Sequence, residues 1–146
     1  MQSQTQIQLS TETKEKLARE GVAVVYYFGS RASGAGSFFS DIDIGIVMED
    51  KRHIQQDIGK LHLAIYDILS SDIPDKPDGP KLDLSFLQKA NPGLGMKAIR
   101  DGIVLFESDP RLRCDFEEYI FRMYNDYLKL QREFEEATFQ AFKQTT

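Results

Sequence analysis

Residues 22–47 read VAVVYYFGSRASGAGSFFSDIDIGIV, and the fold follows from how that stretch divides. Val22 to Phe28 is a β-branched and aromatic run between Gly21 and Gly29, too short for a typical helix, which predicts a strand buried on both faces. From Gly29 to Ser40 three glycines and four serines supply loop chemistry. Asp41 to Val47 then alternates polar or small residues with large aliphatic ones, the period of a strand with two different faces. One of those faces carries Asp41 and Asp43.

Working outward, Ser10 is the N-cap expected for a helix over Thr11 to Glu20, with Leu17 and Ala18 on its apolar side and Gly21 as its stop. Arg52 to Leu69 places Ile54, Ile58, Leu61, Ile65 and Ile68 or Leu69 at spacings of three and four, which predicts one amphipathic helix packed on the sheet. Ser70 to Pro80 holds three prolines and reads as an exposed connection. Lys81 to Leu87 alternates again, with Leu82, Leu84 and Phe86 opposite Lys81, Asp83 and Ser85, and is a third strand. Asn91 before Pro92 starts a helix that Gly102 stops, and Ile103 to Phe106 is a short fourth strand. From Asp109-Pro110 a long helix carries Phe116, Ile120, Met123, Tyr127, Leu130 and Phe134, with core packing expected through Met123. The expectation is an α/β (α+β) fold: a small mixed sheet of about four strands flanked by helices. One domain spans 1–146, with a core over 10–108 and a C-terminal helix over 110–143.

Composition narrows the function classes. The 146 residues include 18 Lys plus Arg against 23 Asp plus Glu, a net charge of −5 that argues against a broad grip on a nucleic-acid backbone. The longest apolar run falls far short of the roughly 20 residues of a membrane span, and the start MQSQTQIQLS lacks the pattern of a signal peptide. A cytoplasmic protein that does not enter membranes is expected. Cys114, alone in the chain, offers neither a disulfide nor half of a CxxC site and has no histidine partner nearby in sequence. His53 and His62 are nine apart, not the i, i+4 spacing of a helical metal pair, and read as surface or packing residues.

The chemistry concentrates at Phe28-Gly29-Ser30-Arg31 and Ser40-Asp41-Ile42-Asp43. Residues two apart in a strand point the same way with Cα atoms about 6 to 7 Å apart, so Asp41 and Asp43 present two repelling carboxylates to one place. Such a pair is comfortable when solvated, partly protonated or neutralised, and oxygen-only ligands favour a hard cation such as Mg²⁺. Asp83 is the natural third carboxylate, able to complete a site for two Mg²⁺ ions or to accept a proton from an attacking hydroxyl. Gly29 lets a backbone approach a phosphate closely, and Ser30 offers an N–H and a hydroxyl. Arg31 either contacts phosphate or braces the loop, and Ser40 either touches a ligand or shapes the turn. Of Phe38 and Phe39, one can stack on a nucleobase and the other plug the core. No Walker string occurs, so the phosphate loop is not of the P-loop type.

A strand, Gly-Ser, ten intervening residues, Asp-x-Asp and a later strand Asp together resemble the nucleotidyltransferase superfamily that includes DNA polymerase β, and above all its minimal single-domain (MNT) members. Gly29 and Ser30 match the family's Gly-Ser, Asp41 and Asp43 its Asp-x-Asp, and Asp83 in KLDLSFL its third carboxylate. The resemblance continues through GIVLFE and the last helix. It implies the nucleotidyltransferase fold, Asp41, Asp43 and Asp83 as metal-binding and catalytic residues, and Gly29, Ser30, Arg31 and Ser40 as nucleotide contacts. It also implies transfer of a nucleoside monophosphate from a triphosphate, with Mg²⁺, to a hydroxyl. Minimal members often act as antitoxins that attach AMP from ATP to a tyrosine of an all-helical HEPN-type ribonuclease toxin, and that reading is preferred because only one helix follows the core. A small molecule or an RNA end is the alternative acceptor, and silencing by occlusion without catalysis the alternative mode. The late aromatic residues of the last helix suit a partner surface or a dimer seam.

Overall fold

A computed structural model of the chain describes residues 6–29, 32, 41–73 and 81–145. Ser30, Arg31, Phe38, Phe39 and Ser40 lie outside the described residues, as does 74–80 of the proline-rich connection.

The elements run α1 (Thr11–Arg19), β1 (Val22–Phe28), β2 (Ile42–Met48), α2 (Arg52–Gln56), α3 (Ile58–Ser70), β3 (Leu82–Phe86), α4 (Pro92–Asp101), β4 (Ile103–Glu107) and α5 (Pro110–Gln144). The four strands form one mixed sheet in the order β3-β2-β1-β4. β1 is antiparallel to both β2 and β4, whereas β2 and β3 are parallel. Every residue of β1 is buried, as a central strand covered on both faces requires. The capping chemistry operates as its residue types dictate. The Ser10 hydroxyl accepts from Thr13 N at 3.2 Å, the Asn91 side chain accepts from Gly93 N at 2.7 Å, and Asp109 accepts from Arg111 N at 2.9 Å.

Two expectations are corrected. The helix predicted over Arg52 to Leu69 is two helices, because Asp57 leaves helical geometry at φ −152° and ψ 87° and its carboxylate accepts from Lys60 N at 3.1 Å as the N-cap of α3. Asp competes for backbone donors in this way wherever a cap is on offer, and Gly59 beside it lowers helix propensity further. The break takes Ile58 out of the apolar stripe and leaves it exposed, while Ile54, Ile65 and Leu69 stay buried. On α5, burial ends at Ile120. Met123 is exposed, because the helix has by then run past the sheet.

The sheet has two apolar faces. Ile42, Ile44, Ile46, Leu82, Leu84 and Phe86 pack with Leu17, Ile65 and Leu69 on the side of α1 and α3. Ala23, Tyr26, Phe28 and Val47 pack with Ala98, Phe116 and Ile120 on the side of α4 and α5. α4 and α5 lie over β1, so this second face is covered at its middle and open toward β2 and β3. Alternation therefore decides where the acids go: with Ile42, Ile44, Leu82 and Leu84 turned to the first face, Asp43 and Asp83 must turn to the second.

A buried polar anchor fixes α5 on that second face. Tyr26 Oη donates to Glu117 Oε1 at 2.9 Å, and burial together with the adjacent carboxylate pushes the phenol far above its ordinary value. Beside it Arg113 Nε stands 2.8 Å from Glu107 Oε2 with its N–H misaligned, so the two act as an ion pair and not as a directed hydrogen bond. Tyr26→Phe keeps the ring against Phe116 and removes only the donor, leaving a half-buried carboxylate short of a partner. Chemical denaturation is expected to show a loss of about 1–3 kcal/mol, with Glu117→Gln recovering part of it in the double variant.

Candidate active site

The site is built at the open end of the second face. β2 and β3 run parallel with Asp43 and Asp83 as direct partners in the register, so adjacent strands carry carboxylates side by side, about 4.8 Å apart at the backbone. Asp41 sits one residue before β2, exposed, and Ile42 N already donates to Lys81 O at 2.8 Å to begin the β2–β3 pairing. Asp43 is half-buried and Asp83 exposed, so the cluster opens to solvent from the β3 side.

Burial, then Asp83, push the Asp43 carboxyl above its ordinary value; Lys97 opposes them, and Asp41 adds the least. The cluster is thus electrostatically frustrated, and a divalent cation is what relieves such an arrangement. Among the described residues no three acidic, histidine or cysteine side chains converge tightly enough to form a finished metal cage. The donor set still fits the ion: hard carboxylate oxygens from two neighbouring strands, reachable from solvent, suit Mg²⁺, which keeps several of its waters and takes few protein ligands.

The raised Asp43 value has a consequence for stability whose sign is definite. The group binds its proton more tightly folded than unfolded, so its ionisation disfavours the apo fold above the folded value, and the penalty vanishes below the unfolded value of 3.8. Asp43→Asn removes the charge. Without metal, the variant is expected to melt higher than the parent at pH 7, with the two melting temperatures converging as pH falls toward 4. Thermal melts across pH check this, and a lower melting temperature for the variant at pH 7 contradicts it.

Gly29 closes the other side of the cluster. It has a φ of +86°, and a Cβ built there would overlap Asp43 Oδ2. Phe28 pairs with Asp43 in the β1–β2 register, so the chain leaves β1 directly against this carboxylate. A residue without a side chain is needed at that point for both reasons. On the far side Leu87 folds over Gly45, where a Cβ would stand 2.7 Å from Leu87 Cδ1, and walls the acids off from Val47. Gln88 locks that wall: its Oε1 accepts from Met48 N at 2.8 Å and its Nε2 donates to Met48 O at 2.9 Å.

Of the residues singled out in the sequence, Asp43 is flanked by Asp83 in the register and by Gly29, Asp41 lies near enough to act on the Asp43 charge, and Ser30, Arg31 and Ser40 lie outside the described residues. His62 stacks with Tyr66 and meets the edge of Phe86, His53 is exposed, and Cys114 is exposed, so none of the three joins the cluster. Lys97 is the residue that sequence reasoning missed. Its position on α4 brings a cation toward Asp43 only through the packing of that helix, and no spacing to Asp83 signals it.

Solved structures of the same fold share most of this chain's length. A toxin–antitoxin complex with AMP-PNP matches with a TM-score of 0.60 and 22% identity, over 92% of this chain and 99% of its own. A tri-AMPylated HEPN toxin in complex with MNT antitoxin from Shewanella oneidensis matches with a TM-score of 0.53 and 18% identity, again over 92% and 99%. The MntA–HepT toxin–antitoxin matches with a TM-score of 0.53 and 18% identity, over 91% and 99%. No curated protein matches the sequence significantly. The family model of polymerase beta nucleotidyltransferases matches residues 11–111, a span that holds both Asp43 and Asp83 and the strands that pair them, and the chain belongs to that family.

Proposed function

We propose that the chain transfers AMP from ATP to a tyrosine hydroxyl of a HEPN-type toxin and so acts as its antitoxin. The observation that carries this reading is the pairing of Asp43 with Asp83 on parallel strands, against the glycine turn that ends β1. The similar folds found in toxin–antitoxin complexes, one with AMP-PNP and one with an AMPylated toxin, support the choice of nucleotide and acceptor.

Asp41, Asp43 and Asp83 would hold Mg²⁺, and Gly29 would give the triphosphate room beside them. Mg²⁺ bound there would supply neutralisation of charge on the triphosphate and the leaving pyrophosphate, and a lower pKa for the attacking hydroxyl. The tyrosine oxygen bonds to the α-phosphorus while the bond from that phosphorus to the bridging oxygen of the β-phosphate breaks. Pyrophosphate leaves with that electron pair, and the phenolic proton passes to the Asp83 carboxylate, the more exposed of the strand pair. Ser30 and Arg31, which follow Gly29 directly in the sequence, are the proposed phosphate contacts. No described helix is long and apolar enough to cross a membrane, and the reaction draws on ATP and Mg²⁺ as the cytoplasm supplies them.

The experiment incubates the chain with ATP labelled on the α-phosphate, Mg²⁺ and a cognate HEPN-type toxin. Label on a toxin tyrosine, lost with EDTA, is the expected result. Label on an RNA end or a small hydroxylated amine, with none on the toxin, overturns the choice of acceptor.

A further inference from the structure

α4 carries a cation, Lys97, to the acid cluster and leaves it unpaired. Small residues seat the helix. Gly95 lies under α5, where a Cβ would stand 2.8 Å from Ile120 Cδ1, and Ala98 is buried in the apolar cluster of Tyr26 and Phe28. At about 100° per residue, Lys97 lies roughly 160° around α4 from Gly95, on the flank away from α5. The helix ends at Gly102, where a Cβ would stand 3.2 Å from Tyr27 O. Tyr27 is one residue before the Phe28 that pairs with Asp43, so α4 runs out beside the acids.

The flank away from α5 faces the cluster, since the charge of Lys97 acts on Asp43 more strongly than that of Asp41 does. Yet Lys97 is exposed, and among the described residues no carboxylate forms an ion pair with it. Asp43 turns its Oδ2 toward Gly29 instead. Asp101, one turn further along α4, stands 3.2 Å from Arg100 Nε and is taken by that guanidinium. An ammonium that an acid cluster attracts but does not bind is free to take an anion entering between them.

The strand order decides which part of the nucleotide that anion is. Asp83 lies on the β3 side of Asp43, where the cluster opens to solvent, whereas Gly29 and α4 lie on the β1 side. In-line displacement sets the attacking and leaving oxygens on opposite sides of the phosphorus. A hydroxyl that enters beside Asp83 therefore expels pyrophosphate toward β1 and α4. Lys81, two residues before Asp83, stands on the side of the attacking hydroxyl. We infer that Lys97 holds the terminal phosphates of the nucleoside triphosphate and stabilises the pyrophosphate as it leaves. This rests on the proposed function, whose leaving group it places. As the bond from the α-phosphorus to the bridging oxygen breaks, its electron pair collects on pyrophosphate, and the Lys97 ammonium donates to the oxygens that gain the charge.

The test measures binding of Mg²⁺·ATP and of AMP to the full chain by calorimetry, with AMP transfer to a cognate HEPN-type toxin read alongside. Lys97→Met keeps the helix propensity and most of the apolar stem and removes the charge. The expected result is an affinity for Mg²⁺·ATP lowered at least about 10-fold, with kcat for transfer lowered as well. Affinity for AMP, which lacks the terminal phosphates, should not change. Lys97→Arg restores the charge and should recover most of the ATP affinity. Mg²⁺·ATP affinity in Lys97→Met equal to wild type overturns the inference, and if wild type transfers AMP the proposed function still stands. Equal weakening for ATP and AMP also overturns it, because it marks damage to the site as a whole. A wild-type chain that binds no Mg²⁺·ATP overturns the inference and the proposed function together. A chain that binds Mg²⁺·ATP through Lys97 but transfers no AMP to the toxin upholds the inference and fails the proposed acceptor.

Discussion

Replacing Asp43 and Asp83 together by Asn should reduce AMP transfer to the background of the assay, and either single change should lower the rate by at least about 10²–10³-fold, the loss typical of removing one preorganised electrostatic group. The two residues are register partners on parallel strands, so each change removes a charge from the same spot. Both side chains are at least partly solvent-accessible and turned away from the apolar layer of Ile42, Ile44, Leu82 and Leu84, so the fold should survive. The same electrostatics make loss of activity and loss of stability separable. Burial and the neighbouring carboxylates hold the Asp43 carboxyl above its ordinary value, so the Asn variant is expected to be inactive and, without metal, no less stable. Initial rates with labelled ATP, read beside melting curves, check both parts. A double variant that retains more than about a tenth of wild-type transfer contradicts the assignment of the pair.

Gly29→Ala should be damaging in both respects at once. The φ of +86° carries a backbone penalty for any residue with a Cβ, and the Cβ itself would stand where Asp43 Oδ2 is. Conformations of this kind cost of order 1–3 kcal/mol. The Asp43 carboxylate must also move, and displacement of a reacting group by about 1 Å can cost 10²-fold in rate. The expected outcome is a lower melting temperature together with a fall in transfer of about two orders of magnitude. Magnesium dependence should weaken alongside, because the displaced group is one of those assigned to the metal. A variant that loses stability but keeps its kinetics would show that the glycine serves only the turn.

Much of the fold was legible from local signals. β1 was bracketed by Gly21 and Gly29, and α4 by Asn91-Pro92 and Gly102, because caps and breakers act within a turn of where they stand. The pairing of Asp43 with Asp83 was an inference from alternation, and it held because both strands keep their aliphatic residues on one face. The break at Asp57 was hidden by a spacing of three and four that runs unbroken from Ile54 to Ile65, and a polar residue on the outer side of such a stripe is ordinary. The exposure of Met123 depends on where the sheet ends beneath α5, which no periodicity encodes. Lys97 was invisible for a related reason, since only the seating of α4 over β1 turns its charge toward Asp43.

The most direct measurement is of the metal itself. Mn²⁺, whose resonance signal reports coordination, can stand in for Mg²⁺ in a titration of the full chain with a non-hydrolysable ATP analogue, comparing wild type with Asp43→Asn plus Asp83→Asn. The expected result is Mn²⁺ held by wild type in the presence of the analogue, beyond what the analogue binds alone, and no such excess in the double variant. Equal retention of Mn²⁺ by both proteins would contradict the assignment of these carboxylates as the metal site.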